Sequence, residues 1–279
     1  MTRLEWMRRA GRALCDMGIE DGMQEALHAL SCFLSCGISA LYLRGDSEVP
    51  EEIAGRMEDM IRRRGTGEPL AYILGERYFM GLRFSVGPDV LIPRQETELL
   101  AEKAIAWCKA QGRPVRVLDM CTGSGCLAVS IAKLAGAQVT ACDISRRALA
   151  AAEKNAEENG AEVEFIASDL FAKVEGTFDL IVSNPPYVSR EEYAGLMREV
   201  REHEPETALL AEENGLAFYR RIAREAGEYL RRGGGLFLEI GAQQGAAVKE
   251  ILRGNGFGDI AILPDYAGRD RMALCRREI

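Results

Sequence analysis

From about residue 95 the hydrophobic positions of the chain alternate between helical and strand patterns. A helix near 95–110 leads to a strand at VRVLDM (Val115 to Met120), a helix, a strand at QVTACD (Gln138 to Asp143), a helix, and a strand at EVEFIA (Glu162 to Ala167). FDLIVS (Phe178 to Ser183) is a short apolar run closed by Asn-Pro-Pro, the pattern of a buried parallel strand that stops abruptly. A long helix around 215–231, a strand at GLFLEI (Gly235 to Ile240), another helix and two segments near 258–263 and 271–276 follow, the last two being candidates for an antiparallel pair. The alternation predicts an α/β fold with a mostly parallel sheet.

The first sixty-odd residues carry only the helical period. Met23, Leu27, Leu30 and Leu34 share one helical face after a candidate Asp21 cap, and Ile53, Met57, Met60 and Ile61 share another after Pro50, Glu51 and Glu52. The Arg62 to Arg64 run reads as a solvated helix end that suits the macrodipole. Gly65 to Pro69 breaks the pattern, and residues 71–92 suggest short strands or a hairpin, with turn signals at Met80-Gly81 and Gly87-Pro88.

Composition narrows the chemistry. The chain has 279 residues, 47% hydrophobic, and a net charge of −8, which disfavours a general phosphate-backbone binder. Its eight cysteines include no CxxC pair and no apolar stretch reaches membrane-spanning length, so a reducing, cytoplasmic setting is expected. The Arg-rich start resembles a transit peptide only weakly and reads more simply as a first helix. His28 and His203 are the only histidines, so histidine-driven acid–base or metal chemistry is not expected, and the i, i+4 pair Cys32 and Cys36 reads as small buried side chains.

Val115 to Met120 runs into Cys121-Thr122-Gly123-Ser124-Gly125, a strand, a glycine-rich turn and then a helix whose N-terminus directs free N–H groups at a ligand. The next strand ends at Asp143, close to the spacing of about 20 residues at which an acid meets a ribose diol. Gly123-x-Gly125-x-x-Ala128 also fits a dinucleotide fingerprint, but Asp119 before it is poor company for phosphates. A cationic methyl donor, S-adenosylmethionine, suits the acids better than a nicotinamide dinucleotide. A third acid, Asp169, follows the third strand and is placed either to meet the adenine edge or to cap a helix.

Asn184-Pro185-Pro186-Tyr187 then acquires a purpose. An amide or aromatic NH₂ is a poor nucleophile, and acceptors that orient it and favour developing positive charge would aim it at the methyl carbon. The Asn184 side-chain oxygen and the Pro185 carbonyl are those acceptors, the prolines keep them stiff, and Tyr187 offers a flat surface to a planar amide or base.

Together with flanking blocks, these motifs resemble the HemK/PrmC-type peptide chain release factor glutamine methyltransferases over nearly the whole chain. The blocks are Glu68 to Leu100, with Pro93, Arg94, Thr97 and Glu98 as a Pro-Arg-x-x-Thr-Glu signature, then His203 to Leu210, Asn214 to Ile222, Leu238 to Gly245 and Asp265 to Arg271. The resemblance implies a helical substrate-recognition domain over 1–67, a hairpin linker over 68–94 and a Rossmann-like class I methyltransferase domain over 95–279, with seven strands and an antiparallel last strand. It implies methyl transfer from S-adenosyl-L-methionine, leaving S-adenosyl-L-homocysteine, to the side-chain nitrogen N5 of the glutamine in a release factor's Gly-Gly-Gln loop. No metal, direct nucleic-acid contact or membrane is implied.

By position, Cys121, Thr122, Gly123, Ser124, Gly125, Asp143, Asp169, Leu170 and Asn184 would bind the cofactor, and Asn184, Pro185, Pro186 and Tyr187 the glutamine, with Asn184 and Pro185 catalytic. Two positions depart from the family pattern. Cys121 stands where many members have glycine, so no positive φ is expected there, and Leu170 replaces a residue that can be aromatic, keeping packing but losing stacking. The nearest rival reading is an amino-methyltransferase of nucleic-acid bases or of a ribosomal-protein glutamine. A nicotinamide-dependent oxidoreductase would leave Asn-Pro-Pro-Tyr without a role.

Overall fold

The computed structural model describes residues 1–278. The chain forms two compact units, Met1–Gly75 with Met197–His203, and Glu76–Leu196 with the chain from Glu204 onward. The division falls at Gly75, beyond the expected residue 67, and the expected linker hairpin belongs to the second unit.

The first unit is helical. Helix Arg3–Asp16 starts with a capping box between Thr2 and Glu5, and it buries Trp6, Ala10 and Leu14. Helix Gly22–Phe33 presents Ala26, Ala29, Leu30 and Phe33 to the core rather than the expected Met23, Leu27, Leu30 and Leu34 face. Small residues decide this rotation: a Cβ on Gly11 would lie 3.0 Å from the Met23 Cα, and one on Gly22 would lie 2.8 Å from the Cys15 backbone nitrogen. Asp21 occupies the N-cap position without a side-chain bond. Helix Glu51–Gly65 buries Met57, Met60 and Ile61, as its period predicts. Arg64 is not solvated. Its guanidinium is partly buried and reaches Glu25 at 2.8 Å and Glu199 at 2.7 Å, joining helices Gly22–Phe33, Glu51–Gly65 and Arg198–His203.

The second unit opens with the hairpin β1 (Glu76–Phe79) and β2 (Leu82–Ser85), turned by Met80 and Gly81, both at positive φ. Its main sheet contains β3 (Arg116–Met120), β4 (Gln138–Asp143), β5 (Val163–Ala167), β6 (Phe178–Ser183), β7 (Leu230–Glu239), β8 (Phe257–Pro264) and β9 (Asp270–Arg277). The order is β5-β4-β3-β6-β7-β9-β8, and β9 alone runs antiparallel to both its neighbours. This is the seven-stranded class I methyltransferase architecture.

Helices Gln95–Ala110 and Cys126–Ala135 cover one face of the sheet, and Ala217–Tyr229 and Gly245–Gly254 the other. The helix expected over 215–231 ends at Tyr229, because Leu230 is drawn into β7 opposite Phe178.

The chain leaves β3 toward β4 on one side and later returns with β6 on the other. This topological switch creates a crevice at the strands' carboxyl ends. Met120 is in register with Cys142 of β4 and Ser183 of β6, so Cys121, Asp143 and Asn184 emerge side by side.

Candidate active site

At this edge lies a cavity of about 220 Å³. Cys121, Thr122, Gly123, Ser124, Asp143, Asp169, Leu170, Asn184 and Pro186 line it; Gly125, Pro185 and Tyr187 do not. Gly125 serves packing instead: it sits at φ +79°, and a Cβ there would lie 2.9 Å from the Ala152 Cβ. Tyr187 turns its hydroxyl inward to Glu239 Oε1 at 3.3 Å, so its ring is not the open platform expected from the sequence.

One backbone expectation needs correction. Cys121 has φ +62°, although it lacks glycine's freedom. The reversal lets the Thr122 N–H reach the Cys142 carbonyl at 3.1 Å, tying the turn to β4, and such left-handed residues cost on the order of 1–3 kcal/mol. Leu170 likewise has φ +49° and is buried against the cavity.

Asp119 does not point toward the ligand crevice. It is fully buried, accepting from Thr122 Oγ1 at 2.6 Å and from the Ala128 N–H at 3.1 Å, while its Oδ1 has no partner among the described residues. Burial pushes its carboxyl up to about 7, against the pull of those two hydrogen bonds. An amide at the start of helix Cys126–Ala135 is thereby already bonded to a carboxyl group, the place a pyrophosphate would need.

Asp143 accepts from the Gly123 N–H and the Ser145 N–H, each at 2.9 Å, and burial raises its pKa. Both arginines on the cavity wall are paired, Arg94 with the buried Glu204 and Arg221 with Asp169 at 2.8 Å. Asp169 thus neither caps a helix through its side chain nor stands alone; it is part of a half-exposed ion pair. The cavity therefore offers acceptors at Asp143, while the Thr122, Gly123 and Gly125 amides of the glycine loop are bonded within the protein and its guanidinium charges are already compensated. This donor set fits a diol-bearing ligand with a cationic centre, as S-adenosylmethionine is, and does not fit a diphosphate.

Asn184 follows the last residue of β6. Its Nδ2 donates to Thr97 Oγ1 at 3.2 Å, and Thr97 Oγ1 donates to Glu239 Oε2 at 2.6 Å. Glu239 is buried, and desolvation raises its pKa while the Thr97 and Tyr187 hydrogen bonds and the Arg271 charge oppose the rise. Gln244 Nε2 donates to the Tyr187 carbonyl at 2.9 Å, fixing the far end of the loop. Sequence reasoning assigned no role to Thr97, Glu239 or Gln244. The signal was present in the Pro-Arg-x-x-Thr-Glu and LEIGAQQG blocks, but nothing in one dimension connects them. Among the described residues no group of three or more His, Cys, Asp or Glu side chains is placed to hold a metal ion, and Cys32 lies against His28 at 3.8 Å.

Residues 5–75 match the family model described as PrmC N-terminal domain, and residues 97–202 match the Methyltransferase small domain. A protein of Cereibacter sphaeroides named Release factor glutamine methyltransferase is 41% identical, over 99% of each chain. One of the same name from Neisseria gonorrhoeae is 46% identical, over 84% of this chain and 86% of its own. A solved protein-(glutamine-N5) methyltransferase (release factor-specific) from Alicyclobacillus acidocaldarius is 36% identical over 70% of this chain and 100% of its own, with a TM-score of 0.43.

Proposed function

The chain belongs to the release factor glutamine methyltransferases, and on that premise we propose which residues carry the transfer of a methyl group to the glutamine N5. The observation that carries the reading is the meeting of the glycine loop, Asp143, Leu170 and Asn184 around one cavity at four adjacent strand ends, those of β5, β4, β3 and β6. Bound there, S-adenosyl-L-methionine supplies an electrophilic methyl on a cationic sulfur. Asp143 holds the ribose hydroxyls, the Thr122 to Ser124 backbone follows the amino-acid end, and Leu170 covers the adenine.

Asn184 Oδ1 and the Pro185 carbonyl accept the two N–H groups of the substrate amide. These acceptors orient its nitrogen and stabilise the positive charge that develops as the carbon–nitrogen bond forms. A glutamate would set carboxylate oxygens against these carbonyl oxygens and leave both sides unpaired, which accounts for selectivity toward glutamine. Pro186 and Tyr187 hold the loop rigid, and no base is required before transfer. The helical N-terminal unit helps hold the release factor, and the setting is the cytoplasm. No helix among the described residues is long and apolar enough to cross a membrane.

The test is methyl incorporation from labelled S-adenosylmethionine into purified release factor, beside a variant whose Gly-Gly-Gln glutamine is alanine. DNA and ribosomal subunits serve as competing acceptors. Label in the intact factor alone supports the reading; label only in nucleic acid or ribosomal protein would replace the substrate and keep the chemistry.

A further inference from the structure

Thr97 and Glu239 come from sequence blocks far apart in the chain, yet they meet behind Asn184. Thr97 stands in the first turn of helix Gln95–Ala110, Glu239 closes β7, and both are buried. Because Thr97 gives its hydroxyl proton to Glu239, its oxygen can only accept from its other neighbour, and the Asn184 NH₂ is the donor.

An amide carries donors on one end and an acceptor on the other. With Nδ2 tied to Thr97, Oδ1 is left free; among the described residues nothing donates to it, and Asn184 lines the cavity. The reversed amide would press Oδ1 against a hydroxyl oxygen whose proton is already committed, and would offer N–H groups to the N–H groups of the substrate. The second oxygen of Glu239 accepts from Tyr187, so one carboxylate anchors both ends of Asn-Pro-Pro-Tyr.

We propose that Glu239 and Thr97 are positioning residues that set the polarity of the Asn184 amide, so that its oxygen and not its nitrogen meets the substrate. The proposal rests on the acceptor role given to Asn184 above. Thr97→Val keeps the volume and removes the hydroxyl; Thr97→Ser keeps the hydroxyl.

Turnover on release factor should fall about tenfold in Thr97→Val, as expected for a misaligned acceptor, and stay within about twofold in Thr97→Ser. The KM for the factor and the calorimetric affinity for S-adenosylmethionine should hold in both. In ¹⁵N-labelled ligand-free protein, the Asn184 side-chain NH₂ signal, assigned by its loss in Asn184→Ala, should exchange faster with water in Thr97→Val than in wild type or Thr97→Ser. Equal losses in Val and Ser would overturn the proposal in favour of simple packing, and so would unchanged turnover with unchanged exchange. If wild-type protein left the glutamine unmethylated while the exchange pattern held, the substrate reading would fail and the positioning would stand.

Discussion

The two ends of β6 treat buried carboxyl groups in opposite ways. At its start, Asp179 is met by Arg113 at 2.7 Å, Arg231 at 3.0 Å and the Arg116 N–H at 2.8 Å. Burial alone would raise its pKa, but these donors hold it at about 2. Around its other end, Asp119, Asp143 and Glu239 are served mainly by hydroxyl and backbone donors, and desolvation raises all three. The first end is compensated within the protein and serves stability. The second end leaves carboxyl groups under-compensated, Asp143 on the crevice wall and Asp119 and Glu239 buried behind it, and perturbed groups of this kind are expected at sites that act on a ligand.

The sharpest way to break this contrast is at the functional end. Asn184→Ala should lower turnover about a hundredfold or more, the scale of losing one preorganised polar group, with the unfolding midpoint unchanged. Near-normal turnover in the folded variant would remove the acceptor role. At the structural end, Asp179→Ala should cost about 1–3 kcal/mol in urea unfolding, since the Arg116 N–H loses its partner. Cofactor affinity should not move; a large loss of affinity there would mean the two ends are not independent.

Asp143→Ala should weaken S-adenosylmethionine binding about tenfold by calorimetry, the scale of a hydrogen bond to a charged group. An unchanged affinity would displace Asp143 from the ribose.

The smallest effect is a pH dependence. With a folded pKa of about 7, Asp119 keeps a proton that the unfolded chain releases above about pH 4. The stability from this proton is complete below that lower value and is lost as pH rises through about 7. Asp119→Asn should therefore flatten the decline in urea midpoint between pH 5 and pH 8 relative to wild type. A parallel decline in both proteins would mean that Asp119 is already ionised at pH 5. Asp179 works in the other direction, its contribution present at neutral pH and lost as pH falls toward 2.

Much of this was legible in one dimension. Parallel strands buried on both faces favour short, mostly apolar runs, and β4 and β6 match their predicted limits residue for residue. Met80-Gly81 signalled its turn because few residue pairs tolerate positive φ. Where small residues rather than large ones set a helix face, as in Gly22–Phe33, the hydrophobic period pointed about one residue away. Cys121 misled because a side chain was taken to forbid a conformation that a hydrogen bond to β4 compensates. Arg64 looked solvated because its two acidic partners lie distant in sequence.

By itself, then, the sequence determined the order of elements, the glycine loop, the acid that ends β4 and the Asn-Pro-Pro-Tyr loop after β6. These depend on local conformational limits and on burial, which the chain records position by position. Tertiary structure alone decided that Asp119 turns inward, that Tyr187 gives up its open face, and that Thr97 and Glu239 stand behind Asn184. A hydrogen bond's direction depends on which donor and acceptor meet in space: the pattern of hydrophobic positions does not say which way Asp119 turns even toward near neighbours, and Thr97 and Glu239, 142 positions apart, carry no local trace of their meeting.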